Sequence, residues 1–192
     1  DDPQTVIDWS LESIQRIFDR LILPEKVAAI LVEPVQGEGG YVVPPAGFLT
    51  SLREICDRYG ILLILDEIQT GFGRTGEMFA AQVFDVRPDI ISIAKGIANG
   101  MPLSATVSSR ELMQKWLAGS HGTTFGGNPV ACAAALAVQA VIKEENLLEN
   151  CKKMGQKMLN RFISYKKVYP FIGDVRGLGL MLALEFVKPD SG

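Results

Sequence analysis

Three short, nearly unbroken apolar runs constrain this chain most: "VAAILVE" (27–33), "ILLILD" (61–66) and the core of "RPDIISIAKG" (87–96). Apolar runs of four to eight residues without polar alternation are expected of strands buried on both faces, the arrangement of a parallel sheet. Parallel neighbours cannot be joined by a tight turn and need a crossover, usually a helix. Helical periodicity should therefore appear between the runs. Each run also ends at a charged residue, at Glu33, Asp66 and Lys95.

The helices fall where this requires. Asp2-Pro3 reads as an N-cap with proline at the first helical position, and Ile7, Leu11, Ile14, Phe18 and Leu21 recur at helical spacing. From Pro45 to Tyr59, Phe48, Leu52, Ile55 and Tyr59 mark a second helix that Gly60 closes. A short helical stretch is predicted around Glu77–Phe84, and "LSATVSS" (103–109) reads as a fourth strand. Asn128-Pro129 caps "VACAAALAVQAVI", which is apolar all round and so predicts central burial. A last helix spans about Asn146–Phe162, with Leu147, Cys151, Met154 and Met158 on one face. The chain then turns through "GDVRGLG" into a strand "LMLALEF". Strands alternating with helices give an α/β class with a mostly parallel sheet.

Composition narrows the partners. Of 192 residues, 47% are hydrophobic and 21% charged, enough apolar content for a sizeable core. Net charge is −3 with scattered basic residues, which predicts neither a nucleic-acid partner nor a membrane surface. The expected ligand is small. Cys56, Cys132 and Cys151 lack metal or redox spacing and read as core thiols of a reducing, cytoplasmic protein; no metal site is expected. His121 is the single histidine, which excludes chemistry needing two within this chain. The opening "DDPQTVIDWS" is acidic and has no signal-peptide pattern. Without an initiator Met, and ending at "VKPDSG" just after a strand, the sequence reads as a piece of a longer protein.

Gly71, Gly73 and Gly76 spell a literal G-x-G-x-x-G. A dinucleotide fingerprint needs the first glycine directly after a strand and an acidic residue at the end of the next one. Here Asp66 to Thr70 intervene, and the next strand ends at a lysine. A loop whose glycines allow positive φ is the better reading.

Asp66 and Lys95 are more informative. In an open parallel sheet, ligands bind beyond the carboxyl ends of strands, so both side chains can face one crevice. Taken singly they read as solvated charges or as a mutual ion pair. Lys95 lies between an apolar strand and a glycine, where partial desolvation would favour the neutral, nucleophilic amine. A lysine of this kind forms Schiff bases, and an aspartate beside it can pair with a protonated pyridine nitrogen, as pyridoxal phosphate requires. "HGTTFGGNP" adds hydroxyls and free N–H groups ahead of a helix, a cradle for a phosphate.

The set "VEPVQGEGG", "ILDEIQTGFGRTG", "PDIISIAKGIANGMPLSA" and "HGTTFGGNPVACAAALA", in this order, closely resembles the class III (ornithine/4-aminobutyrate type) aminotransferases over essentially the whole chain. The resemblance implies the fold-type-I pyridoxal phosphate architecture, a mostly parallel large domain over 1–172 followed by the start of a small C-terminal domain over 173–192. It implies that Lys95 carries the Schiff base and moves the proton, that Asp66 holds the pyridine nitrogen protonated, and that Gln69 bonds the 3′ oxygen. Ile68, and less certainly Val35, would pack on the ring. Thr124 would reach the phosphate in a partner subunit's site, so a homodimer or higher assembly is implied. Glu33 would lie beside the substrate, and Glu38 would pair with a substrate-binding arginine outside these residues.

The implied reaction transfers an amino group from a 4-aminobutyrate-like ω-amino acid to a 2-oxo acid such as 2-oxoglutarate, by a ping-pong mechanism. Acetylornithine or ornithine are the alternative donors, and a mutase or racemase would use Lys95 and Asp66 as well. The family's phosphate loop and ring-stacking aromatic also lie outside this sequence, so the isolated chain is expected to be inactive, or to bind cofactor or dimerise without turnover. Arg74, Arg176 and His121 are read as structural or loop residues.

Overall fold

In the computed structural model, which describes residues 2–188, helices and strands alternate along most of the chain. Helix α1 (Pro3–Arg20) starts as its sequence predicts, with the Asp2 carboxylate accepting from the Thr5 N–H at 3.1 Å. Strand β1 (Ala29–Val32) follows, then α2 (Phe48–Tyr59), closed by Gly60 at φ +68°. Strand β2 (Leu62–Asp66), the one-turn helix α3 (Ala80–Val83), strand β3 (Ile90–Ile93) and strand β4 (Ala105–Ser108) complete the sheet region. Beyond the short α4 (Arg110–Met113) come α5 (Pro129–Glu144), α6 (Leu147–Lys166) and the strands β5 (Ile172–Leu178) and β6 (Met181–Phe186). Asn128 caps α5 as expected, accepting from the Ala131 N–H at 2.9 Å.

The main sheet has the order β1-β2-β3-β4. β1, β2 and β3 run parallel, with Val32 opposite Leu65 and Asp66 opposite Ser92. β4 returns antiparallel along β3, its backbone starting from the turn that follows Lys95. The core lies under β2: Leu63 and Leu65 are fully buried and pack with Phe18, Leu52, Cys56 and Ile61. Burial of each such leucine stabilises the fold by about 2 kcal/mol. Phe18 and Tyr59 meet edge to face at 5.3 Å, locking α1 to α2.

Several elements differ from the sequence reading. "GDVRGLG" is largely strand rather than turn, because β5 pairs antiparallel with β6 and Gly177 lets the strands close: a Cβ there would lie 2.0 Å from the Met181 carbonyl oxygen. The two strands form a separate sheet packed on α6. The stretch Glu77–Phe84 gives a single helical turn. β1 is not buried on both faces, since Leu31 is 64% exposed. Nor is α5 central: Ala131, Ala135 and Ile142 are buried, while Val130, Leu136 and Val141 are exposed. Of the expected units, Asp1 of 1–172 and residues 189–192 of 173–192 lie outside the described residues. Among the described residues no helix is long and apolar enough to cross a membrane.

Candidate active site

The parallel register brings three strand ends level. Glu33 follows β1, Asp66 ends β2 and Lys95 comes two residues after β3, so the charged residues predicted from the apolar runs share the carboxyl edge of the sheet. The Glu67 N–H donates to the Ser92 carbonyl at 2.9 Å, extending the β2–β3 pairing past Asp66. Asp66 is half-buried, and its carboxylate accepts from the Ile68 N–H at 2.9 Å, which folds the chain back over the strand end. Lys95 has a left-handed backbone, φ +44°, and opens a hollow of about 520 Å³. Tyr41, Gln69, Arg74, Asn99, Leu180 and Met181 are among its other walls. The expected desolvation of Lys95 is not provided by these neighbours: the residue is exposed.

The loop after β1 completes one wall. Glu33 accepts from the Gly37 N–H at 3.2 Å, and Gly37 is tight against Gln69, whose Oε1 would lie 2.0 Å from a Cβ at that position. A larger residue there would have to push the end of the Gln69 side chain aside. The Gln69 amide donates to the Tyr41 hydroxyl at 3.1 Å, across 28 residues of sequence. Glu38 is exposed on the same loop, Val35 is fully buried and Ile68 half-buried beside Asp66. Thr124 is not brought to the hollow; it lies on an exposed loop ahead of α5. His121 is also exposed, against the Trp116 ring.

A larger hollow, about 920 Å³, lies at the amino ends of β2 and β3. It is on the wrong side of the sheet for a strand-end site. Three of its charged residues are already paired, Arg53 with Asp89 at 2.7 Å and with Asp57 at 2.8 Å. Although burial pulls its pKa down, these carboxylates together hold the Arg53 guanidinium above its ordinary value.

A family model described as aminotransferase class-III matches residues 3–192. The chain belongs to the class-III aminotransferases. Among curated relatives, it is 45% identical over 190 residues to the 4-aminobutyrate aminotransferase GabT of Escherichia coli (strain K12), covering 96% of this chain and 45% of that protein. It is 47% identical over 179 residues to the 5-aminovalerate aminotransferase DavT of Pseudomonas putida, covering 93% and 42%. The chain thus spans less than half the length of these relatives. Among solved structures, an amine transaminase from an uncultivated Pseudomonas species in its PLP-bound form superposes with a TM-score of 0.91 at 41% identity, over 97% of this chain and 44% of that one. The fold is therefore that of these pyridoxal-phosphate transaminases.

The residues present fit one half of a class-III cofactor site. A lysine amine and an adjacent strand-end carboxylate offer groups for the reactive carbon and the ring nitrogen of pyridoxal phosphate. Gly37 leaves the space that Gln69 occupies beside them. Thr124, the hydroxyl expected at the phosphate, remains apart from this group.

Sequence reasoning passed over Glu67. It is fully buried, its Oε1 accepts from the Ala81 N–H at 2.7 Å, and its Oε2 accepts from the Ala80 N–H at 3.0 Å and from the Thr70 hydroxyl. One carboxylate thereby ties the start of the glycine loop to its end. A buried carboxylate is costly unless satisfied in this way. The only signal in the sequence was its place next to Asp66 at the end of an apolar strand. Tyr41 and Asn99 were missed as well; each has a left-handed backbone, φ +53° and +45°, next to a glycine.

Proposed function

We propose that this chain carries the lysine-and-aspartate half of an aminotransferase active site that uses pyridoxal phosphate. The reaction is transfer of an amino group from an ω-amino acid, 4-aminobutyrate or a near homologue, to a 2-oxo acid such as 2-oxoglutarate in two half-reactions. The observation that carries this reading is the placing of Asp66 and Lys95 at the carboxyl ends of adjacent parallel strands, with Lys95, Gln69 and Tyr41 lining one hollow. The names of the relatives, 4-aminobutyrate and 5-aminovalerate aminotransferases, favour a donor with its amine at the end of a short carboxylate chain.

When bound, pyridoxal phosphate supplies an electron sink for the bond broken at the substrate carbon. Lys95 Nζ is the amine that would hold the cofactor's reactive carbon, and its free amine would take the proton from the substrate carbon. Asp66 would accept a hydrogen bond from the ring N–H and keep that nitrogen charged; its own turn bond from Ile68 fixes the carboxylate's direction. Gln69, held by Tyr41 and fitted against Gly37, would serve the 3′ oxygen, while Ile68 would pack on the ring. Glu33 and Glu38 stand on the substrate side. Thr124 acts in a partner's site within a homodimer, a reading supported by the exposed apolar face of α5 and by Phe125, which is 76% exposed. A unit boundary between 172 and 173 is supported by the start there of the separate β5–β6 sheet. A cytoplasmic setting accords with three free thiols.

The test is to add pyridoxal phosphate, reduce with borohydride and map the modified peptide by mass spectrometry. Label confined to Lys95 and lost in Lys95→Ala is expected; label spread evenly over surface lysines would overturn the assignment. A second reading, that the isolated chain binds cofactor without turnover, is favoured by the exposure of Lys95. Label on Lys95 without amino transfer to 2-oxoglutarate would select it.

A further inference from the structure

We propose that Arg176 is a positioning residue for the substrate side of the Lys95 hollow, fixing the Gly37–Tyr41 turn through the β5–β6 hairpin. The proposal rests on the aminotransferase reading for what the hollow binds. Arg176 Nε donates to the Gly40 carbonyl at 2.8 Å, across 136 residues, and no other side-chain hydrogen bond described in the molecule joins the hairpin to this turn. Gly40 has φ +110°, and a Cβ there would lie 3.0 Å from Arg176 Nη2, so glycine admits the guanidinium.

The hairpin is built to aim this side chain. Asp174 and Glu185 sit directly opposite each other across the strands, a pairing of like charges that is unfavourable on its own. Arg176 lies between them and donates to both, to Asp174 at 2.9 Å. The planar guanidinium thus keeps Nη1 on the carboxylates and leaves Nε for Gly40. A lysine has no second, fixed donor to do this.

These bonds close a ring around the hollow. From the hairpin, Arg176 reaches Gly40; the neighbouring Tyr41 receives the Gln69 amide; Gln69 leads into the glycine loop; and the Arg74 carbonyl of that loop accepts from the Leu180 N–H at the hairpin tip, at 2.9 Å. Tyr41, Gln69, Leu180 and Met181 are all walls of the hollow. Loss of Arg176 opens the ring on the side of Glu38 and Tyr41 and leaves Asp66 and Lys95 in place.

Hydrogen exchange of Arg176→Ala and Arg176→Lys, in the full chain with pyridoxal phosphate added, tests this directly. The reporter amides are those of Gln36, Gly40 and Tyr41, bonded to Val42 and Gly37 carbonyls within the turn. Exchange there should accelerate at least about fivefold in the alanine variant and less in the lysine variant, with β2 unchanged. If the chain turns over, KM for both substrates should rise roughly tenfold with kcat within about twofold, the pattern of binding lost equally in ground and transition state. Unchanged exchange at 36–41 would overturn the proposal. So would acceleration spread over the whole chain in both variants, or a fall in kcat at constant KM, since each points to a general structural role. If Lys95 takes no cofactor, the aminotransferase reading fails, while the exchange data still decide the role of Arg176.

Discussion

Two glycine-rich loops lead into helices in this protein, residues 70–79 before α3 and 121–128 before α5, and they end up in opposite states. In the first, Thr70 and Thr75 are 1% and 4% exposed, Gly71 donates to the Glu67 carbonyl, and the Glu67 carboxylate holds both ends. In the second, residues 121–127 are all exposed, and the bonds are local ones, Gly126 to the Thr123 hydroxyl and Asn128 to the Phe125 carbonyl. Glycine allows unusual backbone shapes in both. What selects one shape is a buried acceptor with several donors, and only the first loop has it. The first is thus completed by its own chain; the second has the look of a surface completed by contact, as its proposed role in a partner's site requires.

The sharpest way to break this contrast is Glu67→Ala. It strands the Ala80 and Ala81 N–H groups and the Thr70 hydroxyl without an acceptor, and should lower stability by about 3 kcal/mol, read as a fall in the urea midpoint. Glu67→Gln keeps part of the bonding and should fall between. An unchanged midpoint in the alanine variant would mean that the loop owes its shape to its glycines alone.

A smaller effect comes from acid. The Arg176 hydrogen bond, its largest cause, holds Asp174 below the ordinary carboxylate value. Its stabilisation is therefore complete above that value and is lost as pH falls through the lowered one. At this half-exposed site it amounts to a few tenths of a kcal/mol. After correction for intrinsic rates, exchange at Leu180, which is tied to the first loop, should quicken as pH falls below the ordinary carboxylate range, while residues 121–127 show no such step.

The smallest effect on stability belongs to Phe125→Ser. With the ring already bare, the unfolding free energy of dilute protein, from its urea transition, should change by less than about 0.5 kcal/mol. The proposed dimer, followed by sedimentation against concentration, should nonetheless weaken. A large stability loss in monomeric protein would show that the second loop is packed after all.

How much of this was legible follows from how local each feature is. Asp2 and Asn128 cap helices through bonds three residues away, and the three apolar runs become neighbouring strands, so Asp66 and Lys95 could be placed together before any coordinates. Glu67 could not be assigned, because its acceptor role depends on N–H groups 13 and 14 residues onward that a one-turn helix delivers. The Tyr41–Gln69 and Arg176–Gly40 bonds span still larger separations that no periodicity marks. The burial expected of α5 failed for a different reason: an apolar surface states that something covers it, not that the same chain does. Lys95 repeats the point, since its desolvation too was read from neighbours in sequence rather than in space.

The left-handed backbone at Lys95 sets two demands against each other. A residue with a Cβ held at φ +44° costs on the order of 1 kcal/mol relative to glycine, which would settle there without strain. Drift under selection for a robust fold alone would favour glycine at this position, and glycine has no amine to offer. On the proposed reading, the one residue whose amine must meet a carbonyl stands where the backbone would most easily hold no side chain at all, so the fold carries a small standing strain at its point of reactivity.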